Sequence, residues 1–285
     1  MRFLPTALIA ALLTVPPPPS VTVSVRARSI QPGELVVLTI GNADPAALRV
    51  HAFDRAWPVL AGEKGTSRAL IGIDLAVKPG RYVVTIAGSG EPTTYPLVVT
   101  PRVFPTRRLT VDPNLVNPPA EAMPRIERET QELERAWAAS SPNPLWDGPF
   151  IRPVPQAANS AFGTRSFYNG EARAAHGGAD FSSPEGTPIK APNAGRVVIA
   201  DVRYFTGGTV VIDHGAGLHS LFAHLSRVDV AAGDAVASGA VVGLVGATGR
   251  VTGPHLHWTV RLNGARIDPL SLLSVLGVDS SRAVK

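Results

Sequence analysis

His255 and His257 stand one residue apart in Gly253-Pro254-His255-Leu256-His257-Trp258-Thr259-Val260, and about eighty residues upstream His176 and Asp180 bracket His176-Gly177-Gly178-Ala179-Asp180. Imidazole nitrogen and carboxylate oxygen both bind zinc, at about 2.0–2.2 Å. Side chains alternate along a strand, so His255, His257 and Thr259 share one face while Leu256, Trp258 and Val260 share the other. The apolar set belongs to a core, which sends both imidazoles into one space. The paired glycines after His176 disfavour a helix, so a loop running into a strand at Phe181 is expected there. Each piece alone is a weak signal: a lone His-x-His is often structural, and His-Gly-Gly-Ala-Asp is more often an ordinary turn. Combined, they supply three ligands and leave a fourth position for water, which is what a hydrolytic zinc site requires.

Hydrolysis at such a site also needs a base and a donor for the developing oxyanion. No His-Glu-x-x-His helix is present, so no glutamate of that kind serves. Imidazole titrates in the required range. His255 shares a face with His257, and His224 lies at the edge of another strand in Leu221-Phe222-Ala223-His224-Leu225-Ser226. Spacing alone leaves His224 equally a cap on a core turn between Phe222 and Leu225. Six of the seven histidines fall between 176 and 257; His51, outside that range, and His214 and His219 within it read as structural or surface groups.

Phe162-Gly163-Thr164-Arg165, His176-Gly177-Gly178-Ala179-Asp180-Phe181, Gly186-Thr187-Pro188-Ile189-Lys190-Ala191-Pro192, Ala223-His224-Leu225-Ser226, Gly233-Asp234-Ala235-Val236 and Thr248-Gly249-Arg250-Val251-Thr252-Gly253-Pro254-His255-Leu256-His257 follow one another in that order. The series resembles the catalytic domain of lysostaphin-type zinc metallopeptidases, the bacterial cell-wall endopeptidases, over about 120 residues. The resemblance implies His176, Asp180 and His257 as zinc ligands, His224 and His255 as catalytic histidines, and a largely antiparallel β fold with the site in a groove. It implies hydrolysis of peptide cross-links in peptidoglycan. In that scheme His255 takes the proton from water and a cationic His224 stabilises the oxyanion, with the two roles exchangeable. Many relatives place a tyrosine before the first ligand, and Tyr168 is the candidate here. Arg165 and Asn169 either orient substrate or hold the loop over the sheet. The alternative is a catalytically silent peptidase-like regulator or binding protein that activates a cell-wall hydrolase. Against it, all five family positions are filled.

These residues need a frame, and the chain's 285 residues suffice for two domains. Hydrophobic content of 45% with 17% charged residues describes a folded protein, and 27 Gly with 27 Pro favours a turn-rich β architecture over a helical bundle. The net charge of +5 is dispersed, with no dense basic block interleaved with aromatics, so nucleic acid is not an expected partner. Without cysteine there are no disulfides, no thiolate ligands and no lipid attachment through Cys. Residues 1–20 read as a signal peptide: Arg2, an apolar run from Phe3 to Val15, then Pro16-Pro17-Pro18-Pro19. The run is too short to span a bilayer in the mature protein, so an exported protein without a stable span is expected, in the periplasm or secreted to the wall. A regulatory protein partner stays open.

Residues 21–104 alternate at period two, with strands over 21–25, 35–40 and 82–86 and turns at 31–34 and 78–81, which suggests a small N-terminal β-sandwich. Residues 105–149 read as a linker with a short helix from Pro118-Pro119 to Trp137, its Arg128, Glu132 and Arg135 on a solvated face. Residues 150–275 read as the peptidase domain, with strands near 197–200, 209–212, 218–222 and 239–246 and a helix only from Pro269, followed by a tail at 276–285. The expected fold class is mainly all-β.

Overall fold

A computed structural model of the chain describes residues 21–88, 91–110, 117–160 and 162–278. The expected signal segment at 1–20, and the tail beyond 278, lie outside the described residues. The first half holds β1 (Thr22–Ala27), β2 (Leu35–Gly41), β3 (Arg49–Ala52), β4 (Arg55–Trp57), β5 (Val59–Ala61), β6 (Ser67–Gly72), β7 (Gly80–Ala87) and β8 (Thr93–Val99). They form two four-stranded antiparallel sheets, ordered β1-β2-β6-β5 and β4-β3-β7-β8. In β7 only alternate residues are buried, as expected of a strand with one wet face. β2 instead reads Leu-Val-Val-Leu-Thr-Ile and is buried on both sides. The reason is long-range: a helix near the C-terminus, α2 (Pro269–Leu276), packs over β1 and β2.

The second half holds β9 (Thr106–Leu109), the helix α1 (Met123–Ala138), β10 (Ala158–Ser160), β11 (Arg165–Tyr168), β12 (Glu171–Ala172), β13 (Gly178–Phe181) and β14 (Pro188–Lys190). It continues with β15 (Gly195–Arg203), β16 (Gly207–Gly215), β17 (Leu218–Val228), β18 (Ala235–Val236), β19 (Val241–Val245), β20 (Leu256–Leu262) and β21 (Ala265–Ile267). A large antiparallel sheet runs β10-β13-β20-β17-β16-β15-β18, with β19 joining β14 to β17 and β21 added to β20. Its core side buries Phe181, Phe222, Leu256, Trp258 and Val260 completely. β17 is the longest strand and changes neighbours along its length: Leu218 to Ala223 pair with β20, whereas Leu225 to Val228 pair with β19.

The segment expected to be a linker does more than connect. Its β9 lies parallel to β11 in a three-stranded sheet with β12. Its helix forms near where the sequence places it, and lays Leu133, Ala136 and Trp137 over Ile199, Val211, Leu221 and Ala223 on the open face of the large sheet. Glu132, expected on a solvated face, instead takes a 2.8 Å bond from the buried Arg203, which also donates to the Glu129 carbonyl. Among the described residues no helix is long and apolar enough to cross a membrane.

A charged seam joins the two halves. Arg28 and Arg102 each bridge Glu34 and Asp268, carboxylates 1% and 3% exposed. Asp268 also caps α2 by accepting from the Leu270 amide at 3.0 Å. Beside it Ser271 Oγ accepts the Leu35 amide, and β21 packs on β6.

Candidate metal centre

β13 and β20 pair antiparallel with Asp180 opposite His257 and Gly178 opposite Thr259. Because Leu256, Trp258 and Val260 take the core side, His257 and Thr259 face the other way, as alternation requires. The strand begins at Gly178 rather than at Phe181, so Asp180 sits on the sheet and not in a loop. Gly178 is needed for this approach: a Cβ there would fall 2.3 Å from the Trp258 carbonyl oxygen and 2.9 Å from the His257 ring. Backbone contact this close leaves room only for hydrogen.

Three donor atoms converge. His257 Nδ1 lies 2.8 Å from Asp180 Oδ1, His176 Nε2 lies 3.0 Å from the same oxygen, and the two nitrogens are 3.1 Å apart. Donors bound tetrahedrally to zinc at 2.0–2.1 Å stand about 3.3 Å from one another, so this trio needs only slight expansion to receive such an ion. These are the described residues that could together hold a metal ion. Thr259 Oγ1 lies 2.9 Å from His257 Nε2, placed to accept its proton and leave the Nδ1 lone pair for a metal. Burial alone would raise the Asp180 carboxyl, but hydrogen bonds and charge from His176 and His257 outweigh it and hold the group well below the usual carboxylate range. Asp180 is therefore an anion at neutral pH, as a ligand must be.

Two further imidazoles flank the trio. His255 precedes β20, bridged to Gly246, and its Nδ1 is 2.9 Å from the Gly253 carbonyl. Its Nε2 stands 3.9 Å from Asp180 Oδ1. His224 reaches the same space by a different route. Ala223 lies opposite His257 and Phe222 opposite Trp258, so in a regular strand His224 would point into the core with Phe222. Between Val210 and Gly208 of β16, however, a single residue opposes both Ala223 and His224, a β-bulge, and His224 takes φ +69°. The bulge turns the ring to the open face, 4.9 Å from the His255 ring and 6.1 Å from that of His257. Its Nδ1 is 2.9 Å from the Thr248 carbonyl, so in both flanking histidines Nε2 is the nitrogen turned to the site. Burial, with His257 and His255 alongside, pushes His224 down to about 4, which makes it neutral at pH 7 rather than the cation expected. It is not a cap on a core turn.

The remaining expected residues scatter. Tyr168 lines a groove of about 390 Å³ that also takes in His176, Arg107, Arg173, Phe205 and Arg250. Asn169 occupies the hairpin turn between β11 and β12 with φ +52°, the left-handed backbone that Asn-Gly turns favour. Arg165 is exposed at the head of β11, where its amide bonds the Pro105 carbonyl, and it does not line that groove. His214 and His219 are fully buried; His214 shares the Ser220 hydroxyl with the Trp258 indole N–H, beneath the strand that carries His257. His51 is exposed on β3. Sequence reasoning missed Thr259 as a partner of His257, although alternation had put it on the right face. It also missed the groove wall supplied by Arg107, Met123 and Ile126.

Residues 174–269 match the model for peptidase family M23. Over 97 residues the chain is 42% identical to the DD-carboxypeptidase/endopeptidase Mpg of Neisseria meningitidis, which covers 34% of this chain and 22% of that protein. It is 40% identical over 97 residues to the peptidoglycan DD-endopeptidase ShyA of Vibrio cholerae, covering 34% and 23%. The matches thus span about a fifth of the length of these curated relatives. Among solved structures, a Pseudomonas aeruginosa chain assigned to peptidase M23 is 35% identical, with 86% of this chain and 95% of that one covered and a TM-score of 0.70. That likeness takes in both the sandwich and the large sheet.

Proposed function

Because the chain belongs to peptidase family M23, we propose that it is a zinc-dependent endopeptidase that hydrolyses peptide cross-links of peptidoglycan. The observation that carries the reading is the convergence of His176 Nε2, Asp180 Oδ1 and His257 Nδ1 beside two more imidazoles. Donor types, spacing and a second partner on His257 all suit zinc. When bound, zinc would polarise the scissile carbonyl and bring the pKa of water towards neutrality. The names of Mpg and ShyA support a peptidoglycan peptide as substrate. A cell-wall substrate in turn supports export, to the periplasm or the wall. With all five positions filled by titratable side chains, nothing favours the silent-regulator alternative.

The chain's own groups account for the proton movements. His255 and His224 both turn Nε2 to the site, their tautomers set by the carbonyls of Gly253 and Thr248. Neutral imidazole accepts a proton there, and its cation then donates, first to the oxygen that gains charge and later to the departing amine. His224, neutral at pH 7, fits the accepting role as well as His255 does, so the two share it.

Digestion of purified sacculi with and without a chelator tests the reading, with released muropeptides identified by mass. Cleavage of cross-linked dimers, lost on chelation and restored by zinc, is expected. Undiminished release in chelator, or no release from zinc-loaded protein, would sink it.

A further inference from the structure

The groove beside His176 holds more positive charge than the described residues around it neutralise. Arg107, Arg173 and Arg250 line it together with Tyr168, and among the described residues no lining residue is acidic. Arg173 is paired with Glu171 at 2.7 Å. Among the described residues no carboxylate lies within 4.0 Å of Arg107 or Arg250. Arg250 is held in place: its amide donates to the Phe205 carbonyl at 2.9 Å, and its guanidinium lies 4.3 Å over the Phe205 ring. Arg107 stands opposite Ser166 across the β9–β11 pair, with Nη2 3.4 Å from the Ser166 hydroxyl. A guanidinium stacked on an aromatic ring keeps its planar fork of N–H donors free and oriented, and that fork matches a carboxylate. Two such cations in one pocket repel each other, so an anion between them gains attraction and removes a cost.

We propose that this pocket reads a free carboxylate on a residue flanking the cleaved amide, with Arg250 as the main contact and Arg107 facing it; the proposal rests on the peptidase reading above. Position identifies the occupant. His176 is both a member of the donor trio and a wall of the pocket. A group held there belongs to the same peptide as the amide at the trio, within a residue or so of it. Met123 and Ile126 supply an apolar wall for the aliphatic part of that residue. The selecting residues lie partly outside the family-matched segment, since Arg107, Met123 and Ile126 all precede residue 174. Specificity is thus set by the segment between the two sheet systems as well as by the sheet that carries the histidines.

Two synthetic peptides decide the matter, alike except that the residues flanking the cleaved amide bear either free carboxylates or carboxamides. With the zinc-loaded full chain, kcat/KM for the acid form should exceed that for the amide form by about 10- to 100-fold. Arg250→Gln should bring the ratio close to one, and Arg250→Lys, which keeps the charge but loses the fork, should fall between. Equal rates on both peptides, or a ratio unmoved by both Arg250→Gln and Arg107→Gln, would overturn the proposal. Calorimetric titration of the same peptides gives the comparison without turnover. A chain that cuts neither peptide yet binds the acid form more tightly keeps the carboxylate pocket and removes the peptidase reading. Equal binding with no turnover removes both.

Discussion

Thr259 owes its place to the two-residue period of β20: it shares a face with His257 and its hydroxyl lies 2.9 Å from Nε2. Replacing it with valine keeps the shape and deletes the acceptor. Partners of this kind govern ligand orientation and basicity, so Thr259→Val should weaken zinc binding by about 10- to 100-fold, read by competition with a chromogenic chelator. Unchanged affinity would strip Thr259 of that role. On the core side of the sheet, in β16, another histidine sets a pH limit. Burial pushes His214 down to about 4, and the Ala194 carbonyl only partly offsets it. The unfolded chain binds this proton below about 6.5 while the folded one resists until near 4. Stability is therefore full above 6.5 and is lost as pH falls towards 4, by on the order of 3 kcal/mol. The neighbouring His219 is lowered too and acts in the same sense, whereas Asp213, itself held low, contributes only at more acid pH. Urea unfolding at pH 7 and pH 5 checks this, with a flat profile counting against it and His214→Gln expected to reduce the slope.

Among the elements, the β13–β20 pair depends on a backbone approach that no side chain tolerates. Gly178→Ala should push the His257 ring out of line and abolish stoichiometric zinc binding while the β-sheet circular dichroism persists; a variant that still binds one zinc would contradict the packing account. β20 itself was readable from its residues, because Leu-x-Trp-x-Val announces a buried face and so places His257 and Thr259. The convergence of His176, Asp180 and His257 followed once Asp180 stood opposite His257. The bulge at His224 was not readable. Positive φ falls mostly to Gly and, among L-residues, to Asn, Asp and His, but nothing in Phe222-Ala223-His224-Leu225 marks where β17 leaves β20 for β19. The change of partner is a property of the sheet and not of the strand. β9 was missed for a related reason: Thr-Arg-Arg-Leu carries no alternation, and it becomes a strand only because β11 is there to pair with it.

At the level of the whole molecule, the sandwich and the large sheet are joined by the Arg28–Arg102–Glu34–Asp268 cluster. Removing Asp268 leaves two partly buried arginines to share Glu34 alone, one positive charge uncompensated, although the arginines keep some contact with water. Asp268→Asn should cost about 3 kcal/mol, the lower end for breaking a buried pair, and chemical unfolding should still show one transition for both halves. An unfolding midpoint unchanged by the substitution would mean that the seam contributes little. Composition and turn spacing announced a mainly β chain, but not that β2 would be covered on both faces. That cover comes from α2, more than two hundred residues away.

The seam has a corollary for anyone cutting the gene. A cassette excised from residue 150 onward would carry Asp268 away from both of its cations and bare the flank of β21 and α2 that rests on β1, β2 and β6. Grafts of this sheet onto other scaffolds will therefore have to bring the sandwich as a passenger, or repaint that flank with polar residues before it meets water.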